Sequence, residues 1–220
     1  MEKIMNRNYL FIGLALAGLT LASCSKDDSE QIKDEGKKVE YDSHAVDLGL
    51  PSGLKWSDQN LGANTPEEYG GYYAWGSLEP LSSYDSENYR RDVDVKNIPA
   101  NYSGNVNFDP VAKNIGGEWR TPTYGEVREL MNNTTYEWTT SNGVKGLKLT
   151  GPNGNSIFIP AGGQISGTTL SKEGFQGTIW TASQDPGYEG AGIVAIANAA
   201  GLGGTGGYGY MGYNLRPVRK

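Results

Sequence analysis

Cys24 is the only cysteine among 220 residues, and it stands directly behind an apolar run from Tyr9 to Leu21. A chain with one thiol forms no internal disulfide, so its fold is held by packing and hydrogen bonds alone. The apolar core, Leu10 to Leu21, is shorter than the roughly 20 residues a membrane-spanning helix needs. Lys3 and Arg7 precede it, and the small residues Ala22 and Ser23 follow. Residues 1–23 therefore have the layout of a secretory signal peptide that is removed.

The run Leu21-Ala22-Ser23-Cys24 resembles the lipobox of bacterial lipoproteins, in which the cysteine becomes the acylated first residue of the mature chain. That resemblance makes Cys24 the expected attachment point for palmitate-type lipid and the membrane the expected partner of the anchor. The next residues, Ser25-Lys26-Asp27-Asp28-Ser29-Glu30, resemble a signal that sends some Gram-negative lipoproteins to the outer face of the outer membrane. A surface-exposed outer-membrane lipoprotein is the expectation. Composition adds that residues 24–42, rich in charge and poor in apolar groups, form a flexible acidic tether, because such a run buries too little apolar area to order itself. Residues 43–220 remain as a folded part of a size that suits one domain with a real core.

Charge and residue inventory exclude several functions. Removal of residues 1–23 takes away Glu2, Lys3 and Arg7 and leaves 17 basic and 24 acidic residues, a net charge of −7. With no basic cluster, nucleic acid is not an expected partner. His44 is the only histidine, so an ordinary zinc site and a Ser-His-Asp triad both lack parts; beside the tether it reads as a solvated or strand-edge residue. Asp92-Val93-Asp94 has no glycine or distal glutamate to complete a calcium loop. Gly201 to Gly207 lacks the Lys-Ser/Thr of a phosphate loop and reads as a flexible hairpin loop. Glycoside hydrolysis needs only two spaced carboxylates, but no pair stands out, and Glu126 and Glu129 are explained by helix capping and a solvated face. Neither metal, cofactor nor catalytic residue is expected.

Glycine, 32 of 220 residues, is about twice its usual ~7% share and favours turns and bulges over helix interiors. Ala45–Leu50 and Leu54–Trp56 read as short strands around a Pro51-Ser52-Gly53 turn. Thr65-Pro66-Glu67-Glu68 has the capping pattern of a one-turn helix. Ser77 to Ile115 is interrupted by prolines, Asn and Asp and reads as a long loop region with short helical pieces, a candidate variable surface. Thr123 and Glu126 form a capping box, and Val127, Leu130 and Met131 share one face, which predicts an amphipathic helix from about Tyr124 to Asn132 packed on a sheet. Asn142-Gly143 predicts a tight hairpin between Tyr136–Thr140 and Val144–Thr150. Strands follow at Ser156–Pro160, Thr178–Ser183, Ile193–Ala197 and from Tyr208 to Arg219. The order of strands, helices and strands is α+β, with short antiparallel strands and one or two short helices.

Several segments together resemble the Fibrobacter-type major paralogous domain of bacterial surface lipoproteins. They are Val46–Trp56, Pro66–Gly70, Tyr72–Gly76, Trp119–Thr123, Asn142–Gly146, Gly154–Phe158 and Leu215–Val218. They cover nearly the whole folded part in order. Trp119-Arg120-Thr121-Pro122-Thr123 and the terminal Arg216-Pro217-Val218-Arg219 also resemble the formylglycine-generating-enzyme branch of C-type-lectin-like folds. The resemblance implies a compact, loop-rich domain with its termini close together. The paired cysteines of that enzyme are absent, and Glu79-Pro80-Leu81 and Gln184-Asp185-Pro186 depart from the calcium motifs of sugar-binding C-type lectins.

Two function classes follow. The first is a non-catalytic binding domain for glycan or protein, with Tyr188, Tyr208 and Tyr210 as candidate ligand contacts, since a flat ring with a polar edge stacks on sugars and anchors interfaces. The second is a structural surface or assembly subunit. The five tryptophans, Trp56, Trp75, Trp119, Trp138 and Trp180, are mostly expected in the core.

Overall fold

The computed structural model describes residues 41–187 and 191–220. Among them are three short α-helices, α1 (Ser86–Asp92), α2 (Pro110–Asn114) and α3 (Tyr124–Asn133). The strands form three three-stranded sheets and one hairpin, all with antiparallel neighbours. This is the expected α+β, loop-rich class, with one helix more than the one or two expected. Cys24 and the signal and tether segments before Tyr41 lie outside the described residues, as does Tyr188.

Strands β1 (Ala45–Asp47), β2 (Lys55–Ser57) and β11 (Val218–Arg219) form one sheet with β2 in the middle. The beginning and the end of the folded unit therefore flank the same central strand. Tyr41 and Asp42, assigned to the tether by composition, belong to this unit. The Tyr41 ring meets Trp119 edge-on at 6.1 Å, and the Asp42 carboxylate accepts the Trp119 indole N–H at 3.0 Å.

The second sheet joins β3 (Thr135–Ser141), β4 (Val144–Thr150) and β5 (Ser156–Pro160). Asn142 and Gly143 both take positive φ, 47° and 83°, at its first turn, so the Asn-Gly reading holds. The hairpin β6 (Gln164–Ser166) and β7 (Thr169–Ser171) had no clear signal in the sequence.

The third sheet, β8 (Gly177–Gln184), β9 (Ala191–Asn198) and β10 (Gly201–Tyr208), divides two cores. Side chains alternate across a strand. Ile179, Ala195 and Ala197 thus join a core with Leu147, Leu149 and the α3 residues Val127 and Leu130. Trp180, Ala182 and Val194 point the other way, to a core with Trp75, Trp119, Tyr102 and Tyr213. Trp56, Trp75, Trp119 and Trp180 are buried, as expected, and Trp138 is half-buried.

Two expectations are corrected. Thr65–Glu68 is a hydrogen-bonded turn, with Glu68 N–H reaching Thr65 O at 3.2 Å, because Gly70 and Gly71 follow too soon for a helical ladder. Gly201–Gly207 is not a hairpin loop but most of β10, in continuous register with β9. Its glycines suit the rings that lie against it: a Cβ at Gly204 would overlap the Tyr124 ring. The 77–115 region, most of whose positions are exposed or half-buried, also feeds the core with Tyr84, Tyr89, Tyr102, Val111 and Ile115.

Asp109 organises that region. It is fully buried, caps α2 by accepting from Val111 and Ala112 N–H, and also accepts from Gly104 N–H, Thr121 N–H and the Thr121 hydroxyl. Five donors on one carboxylate replace the water it gives up.

Candidate functional site

The Trp119–Thr123 motif is built from structural contacts. Arg120 pairs with Glu126 through both carboxylate oxygens, at 2.8 and 2.5 Å, and also donates to the Ser103 hydroxyl. Glu126 accepts Thr123 N–H at 2.8 Å, while Thr123 Oγ1 accepts Glu126 N–H at 3.3 Å, completing the capping box. Burial pushes the Glu126 carboxyl up, but Arg120 and the Thr123 N–H outweigh it and hold it below its ordinary value. Arg216, from the closing motif, is fully buried and bonds the carbonyls of Ser57 and Phe158, tying β2 to β5. Burial pushes its guanidinium down to about 9, with the Asp58 charge opposing. These polar groups hold sheets and loops together.

Tyr208 and Tyr210 are brought together. Their rings stack at 5.4 Å with 8° between planes. Tyr208 ends β10 and Tyr210 lies in the turn after it, so they meet across a turn rather than along one strand face. Tyr208 is 65% exposed, whereas Tyr210 is half-buried against the tyrosines and tryptophans below. Beside the pair runs β10, the edge strand of its sheet, exposed over Gly204, Thr205 and Gly206.

Two cavities are lined by neither tyrosine of this pair. One, of about 420 Å³, is lined by Glu67, Glu137, Lys148 and Phe158, with residues of β3, β4 and β5. Glu67 is held by Ser141 and Asn142, which explains its place there without chemistry. The other, of about 430 Å³, lies between Tyr41, His44, Gln59, Tyr73 and Asn114. His44 Nδ1 meets Asp58 at 3.0 Å. Burial, with the Glu79 carboxylate second, pushes the Tyr73 phenol up to about 12. Sequence reading placed His44 beside the tether and passed over Gln59; the only local signal was the amide cluster Gln59, Asn60 and Asn64 around the Gly62 turn. Among the described residues no cluster of His, Cys, Asp and Glu is arranged to hold a metal ion, and no helix is long and apolar enough to cross a membrane.

No family model, curated protein or solved structure matches the chain.

Proposed function

We propose that this chain is a lipid-anchored, surface-displayed outer-membrane lipoprotein of the major-paralogous-domain type, whose folded domain binds glycan or protein without catalysis. The observation that carries the binding reading is the stacked Tyr208–Tyr210 pair, one ring exposed and the other packed beneath it. An exposed ring costs little entropy to present when its neighbour already holds it in place, and aromatic rings of this kind dominate binding hot spots. The anchor reading rests on the signal-like residues 1–23 and on Cys24.

The test is a glycan array and a pull-down with the chain expressed without residues 1–23 and carrying Cys24→Ser. Binding that Tyr208→Ala weakens supports the reading. Silence on host and microbial glycans and on envelope proteins sinks it.

A second reading, an assembly subunit, draws on β10. Natural edge strands are usually blunted by Lys, Pro or a bulge, and Gly201–Tyr208 has no charge or proline along its length. Light scattering separates the two: a defined oligomer that Thr205→Lys dissolves supports assembly through this edge, and a monomer excludes it.

A further inference from the structure

The outer edge of β10 carries a row of backbone groups whose direction follows from the strands behind it. Trp180 N–H donates to Asn214 O, and Asn214 N–H donates to Thr178 O, so Thr178 and Trp180 turn backbone groups away from β9. Their partners on β9, Ile196 and Val194, therefore bond to β10, at Gly203 and Thr205. By the alternation of an antiparallel ladder, Leu202, Gly204, Gly206 and Tyr208 point their N–H and C=O groups outward. Among the described residues, no turn or loop hydrogen bond uses the outward groups of Leu202, Gly204 or Gly206. Gly204, Thr205 and Gly206 are exposed, so the edge is open where those groups lie.

The side chains along this edge are arranged symmetrically. The run is Leu202-Gly203-Gly204-Thr205-Gly206-Gly207-Tyr208, with Thr205 at the centre, two glycines on each side and a large apolar residue at either end. A two-fold axis at Thr205 lays the strand antiparallel on itself. Thr205 then faces Thr205, Gly204 faces Gly206, and Leu202 faces Tyr208. Every outward residue meets an outward residue, as an antiparallel ladder requires. A shift of two positions either way sets Leu202 or Tyr208 against a glycine and loses both apolar pairs. Glycine strands fix their register weakly, so these three side chains decide it. A foreign strand finds glycine at four of the seven positions, with nothing there to select it, whereas a second copy supplies the matching pattern.

The groups above the strand are complementary in the same register. The Tyr124 ring lies against Gly204 and the Asp185 carboxylate against Gly206, since a Cβ at either position would overlap them. Positions 204 and 206 share one face. With Gly204 opposite Gly206, the phenol of one copy and the carboxylate of the other come to the same place, a donor beside an acceptor, twice about the axis.

We propose that two copies of this chain pair antiparallel through β10 about a two-fold axis at Thr205, joining their three-stranded sheets into one sheet of six strands. The pairing rests on the assembly reading above and narrows it. An isologous contact uses the edge in both copies, so assembly through it stops at two.

The test uses the chain without residues 1–23 and with Cys24→Ser, so that Thr205→Cys supplies its one thiol. In this register the two Thr205 residues are a pair without mutual hydrogen bonds, whose Cα atoms lie about 4.5 Å apart. That separation falls within the roughly 4.4–6.8 Å span of a disulfide. Thr205→Cys should therefore form a covalent dimer under oxidised glutathione. Gly203→Cys is the control: nothing lies within 4 Å of an added Cβ there. Its counterpart on the second copy is four residues along the ladder, about 13 Å or more away, so it should stay unlinked. Light scattering of the cysteine-free chain should give the mass of two chains. Thr205→Lys sets like charges face to face and should give the mass of one. A one-chain mass at every concentration overturns this pairing and the assembly reading together. A larger oligomer, a dimer that Thr205→Cys fails to link, or equal linking of both cysteine variants overturns the pairing alone and leaves assembly standing.

Discussion

Asp42 and Arg219, 177 positions apart in the chain, form an ion pair where the folded unit begins and ends. The same carboxylate accepts the Trp119 indole N–H at 3.0 Å, and the Arg219 guanidinium lies 5.8 Å over that indole ring. One side chain therefore fastens both ends of the domain to a buried tryptophan, next to the point where the tether would leave. The two contacts differ in worth. Asp42 is more than a third exposed, so the ion pair is screened and contributes at most about 1 kcal/mol. The indole N–H is mostly shielded, and losing its acceptor costs about 1–3 kcal/mol.

Asp42→Asn and Asp42→Ala separate those contributions. The asparagine still accepts from Trp119 and should cost under about 1 kcal/mol in urea unfolding. Alanine leaves the indole unpaired and should cost about 2 kcal/mol, with a shift in Trp119 emission.

The Arg120–Glu126 pair sets an acid limit on stability. The Glu126 carboxyl is held below the ordinary 4.5 in the folded state, so in this range the unfolded chain binds more protons. The pair's contribution is complete above that ordinary value and is lost as pH falls through the lower folded value. Unfolding free energies measured from neutral pH downward should fall more steeply for the native chain than for Glu126→Gln. The gap between the two curves should close in acid, and a gap that does not change with pH would show that the charge contributes nothing.

Asp109→Asn tests the carboxylate that gathers the 77–115 region. Its oxygens receive five donors, and an amide nitrogen in place of either oxygen faces at least two of them. A loss of about 3 kcal/mol is expected. Amide exchange should quicken first at Gly104 and Thr121, the two residues that lose a partner outside α2 if the amide nitrogen replaces Oδ2.

The elements legible in the sequence are those whose partners lie close along the chain. Thr123 and Glu126 are three residues apart, and Asn142-Gly143 sets its own turn, so the α3 start and the β3–β4 hairpin were read correctly. Gly201–Gly207 was misread because glycine carries no strand propensity. What makes it a strand is β9 beside it and the Tyr124 ring above, neither visible in a local window. Asp109 was passed over for the same reason. The partners of Asp109 come from three separate segments.

Gly204 and Tyr124 should show strong coupling. Alanine at Gly204 drives its Cβ into the Tyr124 ring and should cost about 1–3 kcal/mol in the native background. With Tyr124→Ala already present the clash is gone, and alanine becomes the better strand residue by roughly 0.5–1 kcal/mol because it has less backbone freedom to lose. A double-mutant cycle should therefore return a coupling above about 1 kcal/mol. Additive effects would show that the ring yields freely.

The tyrosine pair can be divided by the same logic. Tyr208 is 65% exposed and has only the upper position in the stack, so Tyr208→Ala should change stability by no more than about 0.5 kcal/mol. Tyr210 packs on two buried clusters and supports the ring above it. Tyr210→Ala should cost about 1–3 kcal/mol, as partial loss of a packed aromatic does. If Tyr208 is a ligand contact, both variants weaken binding for different reasons. Tyr208→Ala removes the contact, whereas Tyr210→Ala leaves the upper ring without its support. Tyr210→Leu restores apolar packing but not the stack, so it should recover stability while binding stays low. Recovery of both would show that the upper ring needs bulk beneath it and not a parallel aromatic partner.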